Sequence, residues 1–218
     1  MFVAGYSDTR GIFRMVTSFI SAFRALVSRI RQSHEMRKYN PFTIAQFFRK
    51  QGAQIGEGCS INVSNLGTEP YLVKIGNHVA IAPGVVFATH DGAAWLFRDE
   101  IPDLQMFGPI IIEDNCVIGA NAILFPNIRI GKNAIVGAGS LVVSDVSENT
   151  IVIGVPARPF GAVEKYREKC IQRWKIQRPE GIVLEPGEVW WNSKHFSENR
   201  EKLRLHLLEV FKEQLGGR

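Results

Sequence analysis

The sequence predicts an all-β solenoid, in which short strands wind into stacked coils joined by tight corners. Apolar residues recur at every sixth position, at Ile112, Ile118, Leu124, Ile130, Val136 and Val142. Small or branched residues lie four positions after each of them, at Cys116, Ala122, Ile128, Ala134, Ser140 and Val146. An amphipathic helix has a period of about 3.6 and a half-buried strand a period of about 2, so neither fits. In a solenoid both columns point inward and stack on neighbouring coils.

A third column predicts where the chain turns. Three positions after the apolar anchors come Asn115, Asn121, Asn127, Asn133, Gly139 and Asp145. These residue types tolerate positive φ, so we expect a left-handed corner in each hexapeptide. The earlier repeats begin at Ile55, Ile61, Ile75, Ile81 and Phe87, and their corner residues are Gly58, Ser64, His78, Gly84 and His90.

The period fails between Phe87 and Ile112. Residues 88–111 mix aromatic and charged side chains. A solenoid ejects an insertion as a loop at one corner, and such loops commonly carry function because the scaffold is so regular. The head of this loop is His90.

The pattern divides the 218 residues into three parts. Residues 1–50 are a basic helical segment, residues 51–160 are the solenoid with its insertion, and residues 161–218 are a helical and loop extension. The first part holds nine Lys and Arg against two Asp and Glu, so it alone accounts for the net charge of +5. Ile12 to Ile30 follow helical spacing with basic residues between the apolar ones, which predicts an amphipathic helix.

Two interpretations of this helix remain open. It packs on the solenoid or on a neighbouring subunit, or residues 10–38 lie on an anionic membrane surface. The chain lacks the aromatic and groove-reading features of a nucleic-acid-binding protein. No apolar stretch is long enough to span a bilayer, and the unpaired spacing of the three cysteines indicates reduced thiols, so we expect a cytoplasmic protein.

Shorter elements complete the prediction. Thr43 caps a short helix that Gly52 ends, and Val163 to Trp174 form a basic helix. Ser197 caps a last helix that runs to Leu215. The role of the adjacent Trp190 and Trp191 stays open.

Four motifs carry a resemblance to a known family: Thr89-His90-Asp91-Gly92, Ile118-Gly119-Ala120-Asn121, Val136-Gly137-Ala138-Gly139-Ser140 and Gly154-Val155-Pro156-Ala157-Arg158. Over about residues 50–160 the chain resembles the hexapeptide-repeat acetyltransferases, which include galactoside, maltose, streptogramin and polysaccharide O-acetyltransferases. The resemblance implies a left-handed parallel β-helix with three hexapeptides per coil. It also implies a homotrimer whose active sites lie between subunits.

The resemblance also assigns the catalytic residues. Acyl transfer from a thioester to a hydroxyl needs a base, because a neutral alcohol is a poor nucleophile near neutral pH. In the family this base is a histidine at the head of the inserted loop, which corresponds to His90. Asp91 orients the imidazole, or alternatively bonds its own backbone at the start of the loop.

Acetyl-CoA is the implied acyl donor. Family coenzyme sites use backbone amides of small residues on adjacent coils, which correspond to Ala120 and Ala138. Val143 and Ser144 follow, and Arg158 and Lys132 are the expected phosphate contacts.

The acceptor site is expected on the inserted loop. Trp95 and Phe97 stack on a sugar ring, or alternatively pin the loop to the neighbouring coil. Arg98, Asp99 and Asn62 hydrogen-bond the sugar hydroxyls.

These assignments predict an acetyl-CoA-dependent O-acetyltransferase that acts on a sugar hydroxyl in surface polysaccharide or O-antigen biosynthesis. The acceptor is a sugar, a nucleotide sugar or a lipid-linked oligosaccharide, and the enzyme works in the cytoplasm or at the inner membrane surface. Two alternatives stay open: N-acetylation of an amino sugar or antibiotic, and a non-catalytic assembly scaffold. A metal-dependent hydratase needs three converging histidines. His78 and His90 are 12 residues apart and belong to different corners, so no metal is expected.

Overall fold

The computed structural model describes residues 9–186, 188–190 and 193–216. The chain divides into two units, one ending at Phe160 and one beginning at Gly161. The first unit holds the strands of the hexapeptide repeat and the second holds the C-terminal helices.

Three sheets of short strands make up most of the first unit. The first sheet contains β1 (Gln54–Ile55), β3 (Val73–Ile75), β6 (Ile110–Ile112) and β9 (Ile128–Ile130). The second contains β2 (Ser60–Ile61), β4 (Ala80–Ile81), β7 (Val117–Ile118), β10 (Ile135–Val136), β12 (Thr150–Ile153) and β13 (Arg158–Ala162). The third contains β5 (Val86–Phe87), β8 (Ile123–Leu124) and β11 (Leu141–Val142). From β3 to β11 the chain visits the first, second and third sheets in turn.

The pairing register shows the length of a coil. β7 and β10 pair in parallel, with Val117 opposite Ile135 and Ile118 opposite Val136. These partners are 18 residues apart, so one coil holds three hexapeptides. β5 and β8 pair in the same way although the 88–111 insertion lies between them. The insertion therefore leaves the register of the coils unchanged.

Both predicted inward columns are confirmed, because every residue from Ile112 to Val142 and from Cys116 to Val146 in those columns is buried. The outward residues between them stay accessible: Val117 is 43% exposed, whereas its neighbour Ile118 is 0% exposed. Side chains of successive coils thus fill one continuous core. Cys59 and Cys116 are buried in it as free thiols, while Cys170 is exposed.

The corner prediction is confirmed at most positions. Positive φ occurs at Gly58, His78, Gly84, Asn115, Asn121, Asn127, Asn133 and Gly139. It is wrong at Ser64, His90 and Asp145, which do not have positive φ. Ser64 and His90 lead into longer segments that need no tight turn.

The prediction of positive φ fails at Asp145 for a different reason. The last coil is two residues shorter, since Val146 lies opposite Ile130. Asp145 therefore falls beside Arg129, whose backbone amide donates to its Oδ1 at 2.8 Å. The left-handed residue of this coil is Asn149 instead.

Two helices precede the coils. α1 (Thr9–Met36) is longer than the predicted Ile12–Ile30, and α2 is Ala45–Lys50. Phe19, Ile20, Phe23, Leu26 and Ile30 of α1 are exposed, whereas Val27 is half-buried. Within one chain these five side chains therefore do not pack on the strands. Among the residues that the structure describes, none of the helices combines the length and apolarity that a bilayer crossing needs.

The predicted cap of α2 is wrong. Its N-cap is Ile44, which makes no side-chain capping bond. Thr43 instead bonds with Asn40: its Oγ1 accepts from the Asn40 amide at 3.0 Å, and its own amide donates to Asn40 Oδ1 at 3.1 Å. Asparagine makes such local turns readily, so the bend starts three residues earlier than predicted.

The second unit contains α3 (Val163–Gln177) and α4 (Phe196–Val210). Ser197 lies inside α4 and is not its cap, because the N-cap is His195. The Trp174 and Trp190 rings meet edge to face, with centroids 6.3 Å apart. Trp191 lies outside the described residues.

Candidate active site

Most of the sequence-predicted site residues lie at a corner between two sheets. We call the passage from the third sheet to the first the insertion corner, which comprises residues 67–72, 88–109, 125–127 and 143–145. The passage from the second sheet to the third is the alanine corner, which comprises residues 62–65, 82–85, 119–122 and 137–140. The passage from the first sheet to the second is the asparagine corner, which comprises residues 56–59, 76–79, 113–116 and 131–134.

His90 lies at the insertion corner and meets a carboxylate from the coil before it. Its Nδ1 lies 3.1 Å from Oε2 of Glu69 and 3.2 Å from Oγ1 of Thr68. The buried Thr89 donates its hydroxyl to the same Glu69 oxygen at 2.5 Å. Glu69 is only 13% exposed, whereas His90 is 44% exposed. The Glu69 carboxylate is therefore held by the buried Thr89 hydroxyl, while the imidazole of His90 is accessible to solvent.

Hydrogen bonding keeps Glu69 ionised. Burial alone would raise the pKa of this carboxyl, but the bonds from Thr89 and His90, together with the charge of His90, outweigh burial and lower the pKa. An ionised carboxylate only accepts hydrogen bonds, so it favours the imidazole tautomer with a proton on Nδ1. Nε2 then carries the lone pair that can accept a proton.

Asp91 is not the partner of the imidazole, which corrects the sequence-based assignment. Its Oδ1 accepts from the Ala93 amide at 2.9 Å, at the start of a short 3-10 helix (Gly92–Phe97). This is the alternative in which an aspartate at the start of a loop bonds its own backbone. Glu69 was missed because it lies in the irregular passage after Leu66. The sequence signal that could have identified Glu69 is its position about one coil before His90, because residues one coil apart lie side by side.

The inserted loop exposes its aromatic side chains. Trp95 and Phe97 are exposed, and Ala94 is the buried residue beside them. The alternative in which Trp95 and Phe97 hold the loop against the neighbouring coil is therefore wrong. The Arg98 guanidinium lies 5.4 Å from the centroid of the Trp95 ring, and its Nε donates to the Leu104 carbonyl at 3.2 Å. Aromatic, cationic and hydrogen-bonding groups thus share this surface.

The other two predicted acceptor residues lie differently. Asp99 is exposed on the same loop. Asn62 lies at the alanine corner, where its Nδ2 donates to the Ile81 carbonyl at 3.3 Å. The structure therefore groups Asp99 with Trp95 but does not bring Asn62 to the loop.

Ala120 and Ala138 stack on adjacent coils of the alanine corner. The Gly139 amide donates to the Ala120 carbonyl at 2.8 Å. Within the described part of the chain, the backbone amides of Ala120 and Ala138 have no acceptor. A Cβ built on Gly119 would lie 2.4 Å from the Ala138 nitrogen, so the coils approach here as closely as glycine allows. The Ala120 and Ala138 amides are therefore two hydrogen-bond donors that take no part in the pairing between coils.

Val143, Ser144 and Arg158 line one cavity of about 200 Å³. The Arg158 Nη1 donates to the Ala157 carbonyl at 3.0 Å, and the side chain is otherwise exposed. Lys132 lies apart from them, at the asparagine corner, where its backbone amide donates to Glu113 Oε2. Among residues 9–186, 188–190 and 193–216, no cluster of His, Cys, Asp and Glu has a geometry that could hold a metal ion.

Comparison of the sequence with known protein families also identifies the hexapeptide repeat. The family model described as the hexapeptide repeat of succinyl-transferase matches residues 109–144. Protein CapG of Staphylococcus aureus is 46% identical over 168 residues, which cover 76% of this chain and 87% of that protein. A galactoside O-acetyltransferase of Lactococcus lactis is 31% identical over 156 residues, covering 56% of this chain and 71% of that protein. The chain belongs to the hexapeptide-repeat acetyltransferases.

A solved structure extends the agreement to the fold of this acetyltransferase. The hexapeptide-repeat-containing acetyltransferase of Vibrio cholerae aligns with a TM-score of 0.50 at 24% identity, covering 66% of this chain and 92% of that one. Family membership makes the protein an acyltransferase, which confirms the predicted enzyme class over the scaffold alternative.

Proposed function

We propose that this acetyltransferase transfers an acetyl group from acetyl-CoA to a sugar hydroxyl, with His90 as general base. The observation that carries the proposal is the contact between His90 Nδ1 and the nearly buried Glu69 carboxylate, at the head of the inserted loop. It supplies an oriented imidazole with a free Nε2 on an exposed surface, which is what a base for an incoming hydroxyl requires.

The reaction follows from this geometry. Nε2 of His90 removes the hydroxyl proton as the sugar oxygen attacks the thioester carbonyl carbon. A carbon–oxygen bond forms, the carbon–sulfur bond breaks, and the imidazolium returns its proton to the departing thiolate. Glu69, as a positioning residue, keeps the imidazole oriented and stabilises the transient positive charge.

Acetyl-CoA fits the alanine corner and the cavity beyond it. The unbonded amides of Ala120 and Ala138 can bind the carbonyl groups of the pantetheine arm, since their small side chains let the arm lie flat. Arg158 and Ser144, together with Val143, line the cavity that suits the adenosine phosphates. Lys132 lies at a different corner, so a phosphate contact from it requires a coenzyme that extends that far.

The acceptor and the assembly complete the proposal. Trp95 and Phe97 offer a surface for a sugar ring, and Arg98 and Asp99 offer hydrogen bonds. We propose a left-handed β-helix that forms a homotrimer, because His90 and Ala138 lie at different corners and a neighbouring subunit can bring such corners together. Asn62 lies at the alanine corner, so it can bind the acceptor only where a neighbouring subunit brings that corner next to His90. The galactoside O-acetyltransferase among the relatives favours a sugar hydroxyl, and surface polysaccharide is the proposed setting.

α1 supports a location at the inner membrane surface. Phe19, Phe23, Leu26 and Ile30 are spaced along one helical face, and all four are exposed. The excess of basic residues in 1–50 suits anionic lipid head groups. We therefore propose peripheral contact through residues 10–38.

One experiment tests the acceptor class. Thiol release from acetyl-CoA is measured against neutral sugars, amino sugars, nucleotide sugars and oligosaccharides, and each product is treated with mild alkali. An ester is cleaved and an amide survives. We expect an alkali-labile sugar product; an alkali-stable product formed only with amino sugars would establish N-acetylation instead.

A further inference from the structure

An open cavity of about 600 Å³ lies between α1, α2 and the segment that precedes β3. We call it the α1–α2 cavity. The residues that give it polar character are Arg31, Glu35, Lys50, Gln51, Asn65 and Tyr71. Its volume lies within the range of about 300–1,000 Å³ that is typical of small-molecule sites.

The cavity carries one uncompensated positive charge. Lys50 Nζ lies 2.9 Å from Glu35 Oε1 and 3.1 Å from the Tyr39 hydroxyl, so the Lys50 charge is balanced by Glu35. The Arg31 side chain makes neither an ion pair nor a hydrogen bond within the described part of the chain. Its guanidinium can bind a phosphate or carboxylate through paired hydrogen bonds.

The remaining polar groups suit a sugar. The Tyr71 side chain is 63% exposed and presents a ring face of the kind that stacks on a pyranose. Asn65 uses its Oδ1 to accept from the Gly67 amide at 3.2 Å, which leaves its Nδ2 as a donor. Among the described residues the Gln51 side-chain amide has no partner. Two amides and one aromatic ring thus lie beside the arginine.

The cavity shares a wall with the catalytic corner. Asn65, Gly67 and Tyr71 line it, while Thr68 and Glu69 of the same segment contact His90. Gly67 has φ +86°, and a Cβ there would lie 2.7 Å from the Phe87 carbonyl oxygen and 2.8 Å from Thr89 Oγ1. The segment therefore packs directly against the strand end that leads to His90.

We propose that the α1–α2 cavity is an acceptor subsite for an anionic sugar, whose charged group binds Arg31 and whose ring lies on Tyr71. This inference rests on the proposed function, and it narrows the acceptor to a sugar that carries a phosphate or a carboxylate. The phosphate would belong to a glycosyl phosphate or nucleotide sugar, and the carboxylate to an acidic sugar.

Binding without acetyl-CoA tests the subsite. Calorimetry at low salt compares glucose, glucose 1-phosphate, UDP-glucose, glucuronic acid and inorganic phosphate. We expect at least one anionic sugar to bind about tenfold or more tightly than glucose, which lacks the charge-assisted bond to Arg31, and than phosphate, which lacks the ring that contacts Tyr71. A phosphorylated sugar as the tightest probe identifies the phosphate source, and glucuronic acid the carboxylate source.

Matched variants decide the result. Arg31→Gln should remove the preference for the anionic sugar. Arg37→Gln, which changes an exposed arginine just after the end of α1 and outside this cavity, should retain it. Tyr71→Ala should weaken every sugar probe. Equal binding of glucose and the anionic sugars, binding of phosphate as tight as that of the sugars, or a preference that survives Arg31→Gln would overturn the subsite.

His90→Asn separates the two proposals. It should abolish acetyl transfer and leave the affinity for the anionic sugar unchanged. Transfer that persists in His90→Asn, with sugar binding that depends on Arg31, would reject the proposed base and keep the subsite. Transfer that needs His90, with no Arg31-dependent binding, would do the reverse.

Discussion

Replacing Glu69 by Gln tests the part of the site that the sequence did not indicate. A glutamine at this position can still accept from Thr89, but it lacks the charge that orients His90 and stabilises the imidazolium. The lost interaction is a charge-assisted hydrogen bond at 3.1 Å from a nearly buried carboxylate. Such bonds are worth about 1.5–3 kcal/mol. Because His90 is 44% exposed, water screens the pair, and the lower half of that range applies.

A loss of about 1.5–2 kcal/mol in the transition state lowers kcat about 10- to 30-fold, since about 1.36 kcal/mol corresponds to a factor of ten. The assay is steady-state thiol release with acetyl-CoA and a sugar acceptor. The KM for acetyl-CoA should stay within about twofold of the parent value, because Glu69 contacts no part of the proposed coenzyme site. This division between kcat and KM distinguishes a positioning role from a general loss of structure.

Glu57→Gln is the matched control. Glu57 is an exposed carboxylate at the asparagine corner that pairs with Arg49 at 2.7 Å, so its removal should leave kcat unchanged. A folded Glu69→Gln enzyme with kcat within about twofold of the parent would refute the assignment of Glu69. Equal losses in both variants would refute it as well.

Three further predictions concern the scaffold, the C-terminal unit and the N-terminal helix. Ile118→Ala should lower the free energy of unfolding by about 2–5 kcal/mol because the side chain is fully buried; the outward-facing Val117→Ala, measured by the same denaturant titration, should cost much less. Glu188 has its pKa lowered to about 2 by hydrogen bonds from the Glu185 and Lys194 amides and the Ser193 hydroxyl. Its stabilising contribution is therefore complete above the ordinary value of 4.5 and lost as the pH falls towards 2, so Glu188→Gln should flatten the pH dependence of the unfolding midpoint in that interval. Replacing Phe19 and Phe23 by Ser should release the enzyme from anionic vesicles, because both exposed side chains would otherwise insert into the bilayer; unchanged sedimentation with anionic vesicles would reject membrane contact.

Sequence predicted the buried columns and most of the corners well because their cause is local and repeated. A side chain such as Ile118 must face inward at the same point of every coil, and a residue such as Asn115 must turn with positive φ, so each requirement recurs at a fixed interval. The corner assignment failed at Asp145, where the coil is two residues shorter. A change of register of this kind depends on pairing with the previous coil, which the order of residues alone does not contain.

The site was predicted only in part for a related reason. His90 stands at a break in the period and could be found there. Glu69 lies 21 positions earlier, in a segment without repeat spacing, and meets the imidazole only when the coils stack. Asp91 looked like the partner because it is adjacent to His90, but its carboxylate accepts from the Ala93 amide instead. The cavity beside Arg31 likewise depends on where α1 lies against the first coil.

The most direct measurement of the central claim compares His90→Asn with His78→Asn in acetyl transfer from acetyl-CoA to a sugar. Both are exposed histidines at coil corners, and His78 bonds Asn115 Oδ1 at 2.8 Å in the asparagine corner, away from Glu69. Loss of a general base typically costs about 10²–10⁴-fold in rate. We predict a loss of that size in His90→Asn and a rate close to the parent value in His78→Asn. Transfer at an undiminished rate in a folded His90→Asn enzyme would contradict the account.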